Sequence, residues 1–162
     1  MYRYYAIDHE DPNEDEIVSL LDASGVRCVR LPWTEEYRDI VTHQQALMKG
    51  IVPVVIDRYG EDEDVETSTP SLMEELASPL TVMGQVEYFY HNPVYPYWRS
   101  QEEFDRLYRL LFPSDGTYDC FCWSDDWCDF FDAGREWFGT GCWSVYDRRR
   151  RLFTLFFVSE TD

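Results

Sequence analysis

Apolar positions run along this chain in two rhythms, one of period two and one of period three to four. The opening Tyr2 to Ile7, YRYYAI, is aromatic and β-branched in the manner of a strand, and it stops at the charged loop Asp8 to Asn13. From Glu14 to Ala23 the rhythm changes. Ile17, Leu20 and Leu21 stand at i, i+3 and i+4 behind an acidic first turn, which predicts an amphipathic helix stopped by Gly25. Val26 to Leu31 alternates as a second strand, closed by Pro32. Thr34 is placed to cap a helix through Gly50, with Tyr37, Val41 and Leu47 or Met48 as its inner face.

The middle of the chain is less regular. Ile51 to Asp57, IVPVVID, is rich in β-branched residues, and Pro53, which cannot donate to a central ladder, predicts an edge strand. A short helix is expected over Ser71 to Ala77, broken by Pro79, and then a strand over Thr81 to Asn92 with Gly84 as a bulge. Ser100 and Glu103 form the S-x-x-E capping box that opens the helix QEEFDRLYRLLF. Its Phe104, Leu107, Leu110 and Leu111 share a side, and Glu102 and Arg106 are spaced to pair at i, i+4. Pro113 and Gly116 end it.

Three alternating runs follow, YDCFCW, GCWSVYD and LFTLFFVSE. They predict an antiparallel three-strand meander, with Gly139 and Gly141 opening its second strand and a helical or irregular insert at Ser124 to Gly134. The whole pattern reads as one α+β domain over residues 1–162, an antiparallel sheet with three to four helices. There is no internal repeat and no linker.

Composition changes that picture in one respect, charge. The 162 residues carry 32 Asp and Glu against 14 Lys and Arg, a net of −18. Binding to nucleic-acid phosphates or to anionic membranes needs a basic face, so both are excluded as expectations. Aromatic residues make up 17% of the chain, ample material for a core, so the charge does not imply disorder. No segment reaches the roughly 18 uncharged apolar residues of a membrane span. The N-terminus turns acidic within ten residues and lacks the apolar core of a signal peptide, which predicts a cytoplasmic protein. Five cysteines, Cys28, Cys120, Cys122, Cys128 and Cys142, cannot all pair within the chain and are expected as free thiols.

The densest chemistry lies between Trp123 and Trp143. Here Asp125, Asp126, Asp129, Asp132 and Glu136 interleave with Trp127, Phe130, Phe131, Trp137 and Phe138. Clustered carboxylates suit Ca²⁺ or Mg²⁺, but the EF-hand spacing is absent. Paired carboxylates also suit glycoside hydrolysis, though nothing in the sequence sets two of them across a cleft. The C-x-C spacing of Cys120 and Cys122 departs from the C-x₂₋₄-C of structural zinc sites. His9, His43 and His91 lie in no nucleophile motif, and no Gly-rich phosphate loop is present. Arg148 to Arg151 fits a hairpin turn balancing local acid charge. No metal and no cofactor is therefore expected. What remains is an interface in which aromatic anchors supply contact area and an acidic rim selects a basic partner. The acidic run Glu61 to Glu66 is a rival contact surface.

The motifs W-S-D-D-W, F-D-A-G and E-W-F-G-T in this stretch resemble a segment of small acidic bacterial immunity proteins of polymorphic or contact-delivered toxin systems. The resemblance covers about thirty residues. It implies a small cytoplasmic protein that acts by direct binding to a toxin and performs no catalysis. The class has no shared catalytic motif, so no site residue transfers with it. The sequence thus points to a non-enzymatic inhibitor of a basic toxin or nuclease. Its candidate partner-binding residues are Asp125, Asp126, Trp127, Asp129, Phe131, Asp132, Glu136 and Trp137. Two alternatives stand beside it: an acidic nucleic-acid mimic that inhibits a nuclease, and a small metabolite-binding domain or enzyme.

Overall fold

A computed structural model describes residues 3–22, 24–59, 66–91, 100–132, 134 and 139–160. The long apolar runs near the C-terminus are buried on both faces, and this makes them the middle of a six-stranded sheet. The strands are β1 (Tyr4–Ala6), β2 (Arg27–Pro32), β3 (Leu72–Leu76), β4 (Tyr118–Trp123), β5 (Gly139–Asp147) and β6 (Leu152–Glu160). They lie in the order β1-β2-β6-β5-β4-β3. All pairs are antiparallel except β1 with β2, whose parallel pairing needs the crossover helix α1 (Glu14–Leu21). The expected meander of β4, β5 and β6 is present, and the fold is α+β.

Alternation along β6 divides the core. Phe156 and Val158 face one side, with Ile17 and Leu21 of α1, with Val82, Met83, Val86 and Tyr90 of α3 (Pro79–His91), and with Phe104 and Leu107 of α4 (Gln101–Leu111). Phe153, Leu155 and Phe157 face the other, with Leu47, Ile51 and Val55 of α2 (Ile40–Tyr59) and with Trp127, Phe130 and Phe131. Gly50 lets α2 lie close to the sheet: a Cβ there would stand 2.7 Å from Leu155 Cδ1 and 3.3 Å from Val29 Cγ1.

Four local expectations give way to packing. Ile51 to Asp57 is helix, not edge strand, because Leu47, Ile51 and Val55 recur every four residues and all face β6, while Pro53 sits on the exposed side. That helix starts at Ile40 instead of being capped by Thr34, and Val41 of the expected inner face is exposed. Residues Leu72 to Leu76 form strand β3 where a helix was expected, since the segment is too short to hold helical turns and lies against β4. Thr81 to His91 belongs to α3, with Val82, Val86 and Tyr90 on its inner face, Gly84 exposed, and Pro79 opening the helix instead of breaking one.

Helix α4 carries the expected capping box, Ser100 accepting from the Glu103 amide at 3.1 Å and Glu103 accepting from the Ser100 amide at 3.2 Å. Arg106 pairs not with Glu102 but with Glu16 of α1, at 2.7 and 3.0 Å. No helix among the described residues is long and apolar enough to cross a membrane.

Candidate functional site

The acidic stretch leaves β4 at Trp123 and turns over the α2 face of the sheet. Its residue spacing decides which side chains point in. Trp127, Phe130 and Phe131 fall inward and are buried, Trp127 1% exposed and Phe131 fully covered. Asp126, Asp129 and Asp132, every third residue, fall outward around the short 3₁₀ turn Asp129–Phe131. The aromatics thus form the floor of this loop, and neither Trp127 nor Phe131 is exposed in this structure. Asp125 is half-buried and accepts a hydrogen bond from Thr140 Oγ1 at 2.5 Å. Glu136 and Trp137 lie outside the described residues.

A second segment completes the site. The Ser68 amide donates to the Trp127 carbonyl at 2.7 Å, Thr67 bridges Cys128, and the Glu66 amide donates to Asp129 Oδ2 at 3.0 Å. Further along, the Ser71 amide donates to Ser124 Oγ at 3.0 Å and the Ser124 amide to the Ser71 carbonyl at 2.9 Å. Residues 66–71 are thereby strapped to 124–129. Between them lies a depression of about 150 Å³ lined by Glu66, Thr67, Ser68, Asp126, Trp127, Cys128, Asp129 and Asp132. Four carboxylates face it, and no lining residue is basic. The two acidic surfaces expected as rivals therefore meet at Glu66, while residues 61–65 lie outside the described residues.

The arginine run is spent within the molecule. Arg148 Nε donates to Asp119 at 2.5 Å, Arg150 binds Asp147 at 2.9 Å and Asp115 at 2.6 Å, and Arg149 lies 3.4 Å from Asp115. Arg151, at a φ of 53°, donates to the backbone carbonyls of Trp33 and Glu35.

A serine–histidine pair among the described residues is not legible in the sequence. His43 Nδ1 lies 2.6 Å from Ser144 Oγ, and His43 Nε2 lies 2.8 Å from the Tyr37 hydroxyl. Trp123 Nε1 donates to the same Ser144 oxygen at 2.7 Å. Burial, and then the Arg148 charge, push the His43 pKa down to about 3. Both His43 and Ser144 are completely covered, so this chain ties α2 to the sheet and offers nothing to a substrate.

The five cysteines are free. Among the described residues, no group of three or more His, Cys, Asp or Glu side chains is arranged to hold a metal ion. No protein-family model, curated protein sequence or solved structure matches this chain.

Proposed function

We propose that the protein acts by binding, holding a cationic protein partner against the depression of Glu66, Asp126, Asp129 and Asp132. The observation that carries this reading is the convergence of four carboxylates from two chain segments on one concave surface without a basic lining residue. A net charge of −18 adds long-range attraction to a cationic surface and speeds encounter in a salt-dependent way. The buried Trp127 and Phe131 hold the acidic loop in place, so less ordering remains to be done on binding. Together with the resemblance of the W-S-D-D-W to E-W-F-G-T stretch, the reading becomes an immunity protein that neutralises a cognate bacterial toxin in the cytoplasm.

The test is toxin protection in cells alongside association kinetics at two salt concentrations. Glu66→Gln, Asp126→Asn and Asp132→Asn, combined, should slow association and flatten its salt dependence. Asp125 and Asp129 are left intact because Asp125 ties the loop to Thr140 and Asp129 ties it to the Glu66 amide. If the triple variant protects as well as wild type, or if the protein turns over a small molecule and ignores the toxin of its own operon, the reading is wrong.

A further inference from the structure

Strand β3 is the outermost strand beside β4, and its outer edge has no described partner strand. Leu72, Met73, Glu74 and Glu75 are all exposed, Met73 at 68% and Leu72 at 38%. An open edge presents backbone N–H and C=O groups that can pair with another strand. This edge continues into the strapped segment 66–71, so it runs into the acidic depression without a break.

Three kinds of occupant suit such an edge, and charge decides among them. A second copy would set Glu74 and Glu75 against the same residues, on two molecules of net charge −18 each. An acidic or neutral strand would gain nothing from the charge of the surroundings. Residues 59–98 contain neither lysine nor arginine, so no cation of this stretch offsets Glu66, Glu74 and Glu75. Glu74 lies opposite Cys122 on the α3 face and Glu75 opposite Phe121 on the α2 face. Cationic side chains on either side of an added strand therefore meet a carboxylate.

We infer that the β3 edge is a docking seam for an extended basic segment of the partner, which adds to the sheet as a seventh strand. Main-chain pairing supplies the register, Leu72 and Met73 supply apolar contact, and Glu74, Glu75 and the depression receive lysine or arginine. The inference rests on the proposed function and names how the partner is held. It also supplies the lasting contact that the buried Trp127 and Phe131 do not offer.

The experiment uses the full chain and two short peptides alternating lysine and valine, one of them N-methylated along the backbone. Hydrogen exchange at the amides of residues 72–76 is read with each, at low salt. The expected result is slowed exchange with the plain peptide only, and binding weakened about tenfold or more by Met73→Lys with Glu74→Lys, an exposed pair whose exchange should leave the fold intact. If both peptides bind equally and the β3 amides are unprotected, the seam is wrong while the charge reading stands. If neither binds, both fall. If β3 is protected without peptide and the protein dimerises as concentration rises, the occupant is a second copy and the inference is overturned.

Discussion

His43 and Ser144 are 101 residues apart in sequence and 2.6 Å apart in space, the imidazole Nδ1 and the hydroxyl hydrogen-bonded in a fully buried position. This contact joins α2 to the central strand β5, and it makes stability depend on the protonation of one side chain. Well above pH 6.5 the imidazole is neutral both folded and unfolded, and it contributes no pH dependence. Below that, the unfolded chain takes up a proton that the folded chain refuses until about pH 3, so stability falls as pH falls through the window. At pH 5 the loss from this group is about 2 kcal/mol. Urea unfolding of the wild type and of His43→Gln at both ends of the pH 5 to 7 range measures it. The wild type should lose about 2 kcal/mol more than the variant, and equal losses would show that the imidazole is not held neutral.

Pro53 sits in the interior of α2 and faces solvent. It removes the hydrogen bond that the Lys49 carbonyl would otherwise accept, and its side chain adds nothing to the core. Pro53→Ala should therefore stabilise the protein by about 2 kcal/mol, less than the full helix-propensity difference because the unfolded chain also gains freedom. A thermal scan should show a rise of about 4–8 °C. An unchanged midpoint would mean that the lost bond is already replaced.

How much of this was legible depends on how local each signal was. The meander of YDCFCW, GCWSVYD and LFTLFFVSE and the Ser100–Glu103 capping box are written in contiguous residues, and both are present. Residues 51–57 were misread because proline and β-branching outweigh the four-residue spacing of Leu47, Ile51 and Val55, which matters only once β6 is there to receive it. Residues 72–76 were misread because an edge strand need not alternate. The acidic depression was half legible: the carboxylates were visible, but their meeting with Glu66 depends on a register between segments 63 residues apart. The sequence left the inward turn of Trp127 and Phe131 undecided between core and contact, since an aromatic at a loop reads the same whether it anchors a partner or the loop itself.

The thiols give a chemical map of the same core. Burial pushes Cys28 and Cys120 up to about 12 and holds Cys142 well above the ordinary thiol value, while Cys122 is only partly covered. A thiol raised that far is neither nucleophilic nor readily oxidised at neutral pH. Cys122 should be the first of these four to react with a disulfide reagent in the folded protein, and Cys28 and Cys142 should react only at the rate of unfolding. With five free thiols, dithiothreitol should leave the melting temperature unchanged. Fast labelling of Cys142, or a shift of many degrees with reductant, would contradict this packing.

Trp127 and Asp126 are neighbours in sequence that face opposite ways, one into the core and one into the acidic depression. Replacing each should separate stability from binding. Trp127→Ala deletes an indole that packs on Phe131 with ring centroids 5.7 Å apart. It should cost about 3–5 kcal/mol of stability and lower the urea midpoint with little change in slope. Asp126→Asn alters one exposed carboxylate and should leave stability within about 0.5 kcal/mol. Its effect should instead appear as slower association with a cationic partner at low salt, vanishing at high salt as the field is screened. Unfolding curves and association rates on both variants decide the matter. If Trp127→Ala were stable but released its partner faster, the indole would be a contact anchor after all, and the loop would have to open on binding. If Asp126→Asn left the association rate and its salt dependence untouched, the depression would not be where the partner arrives.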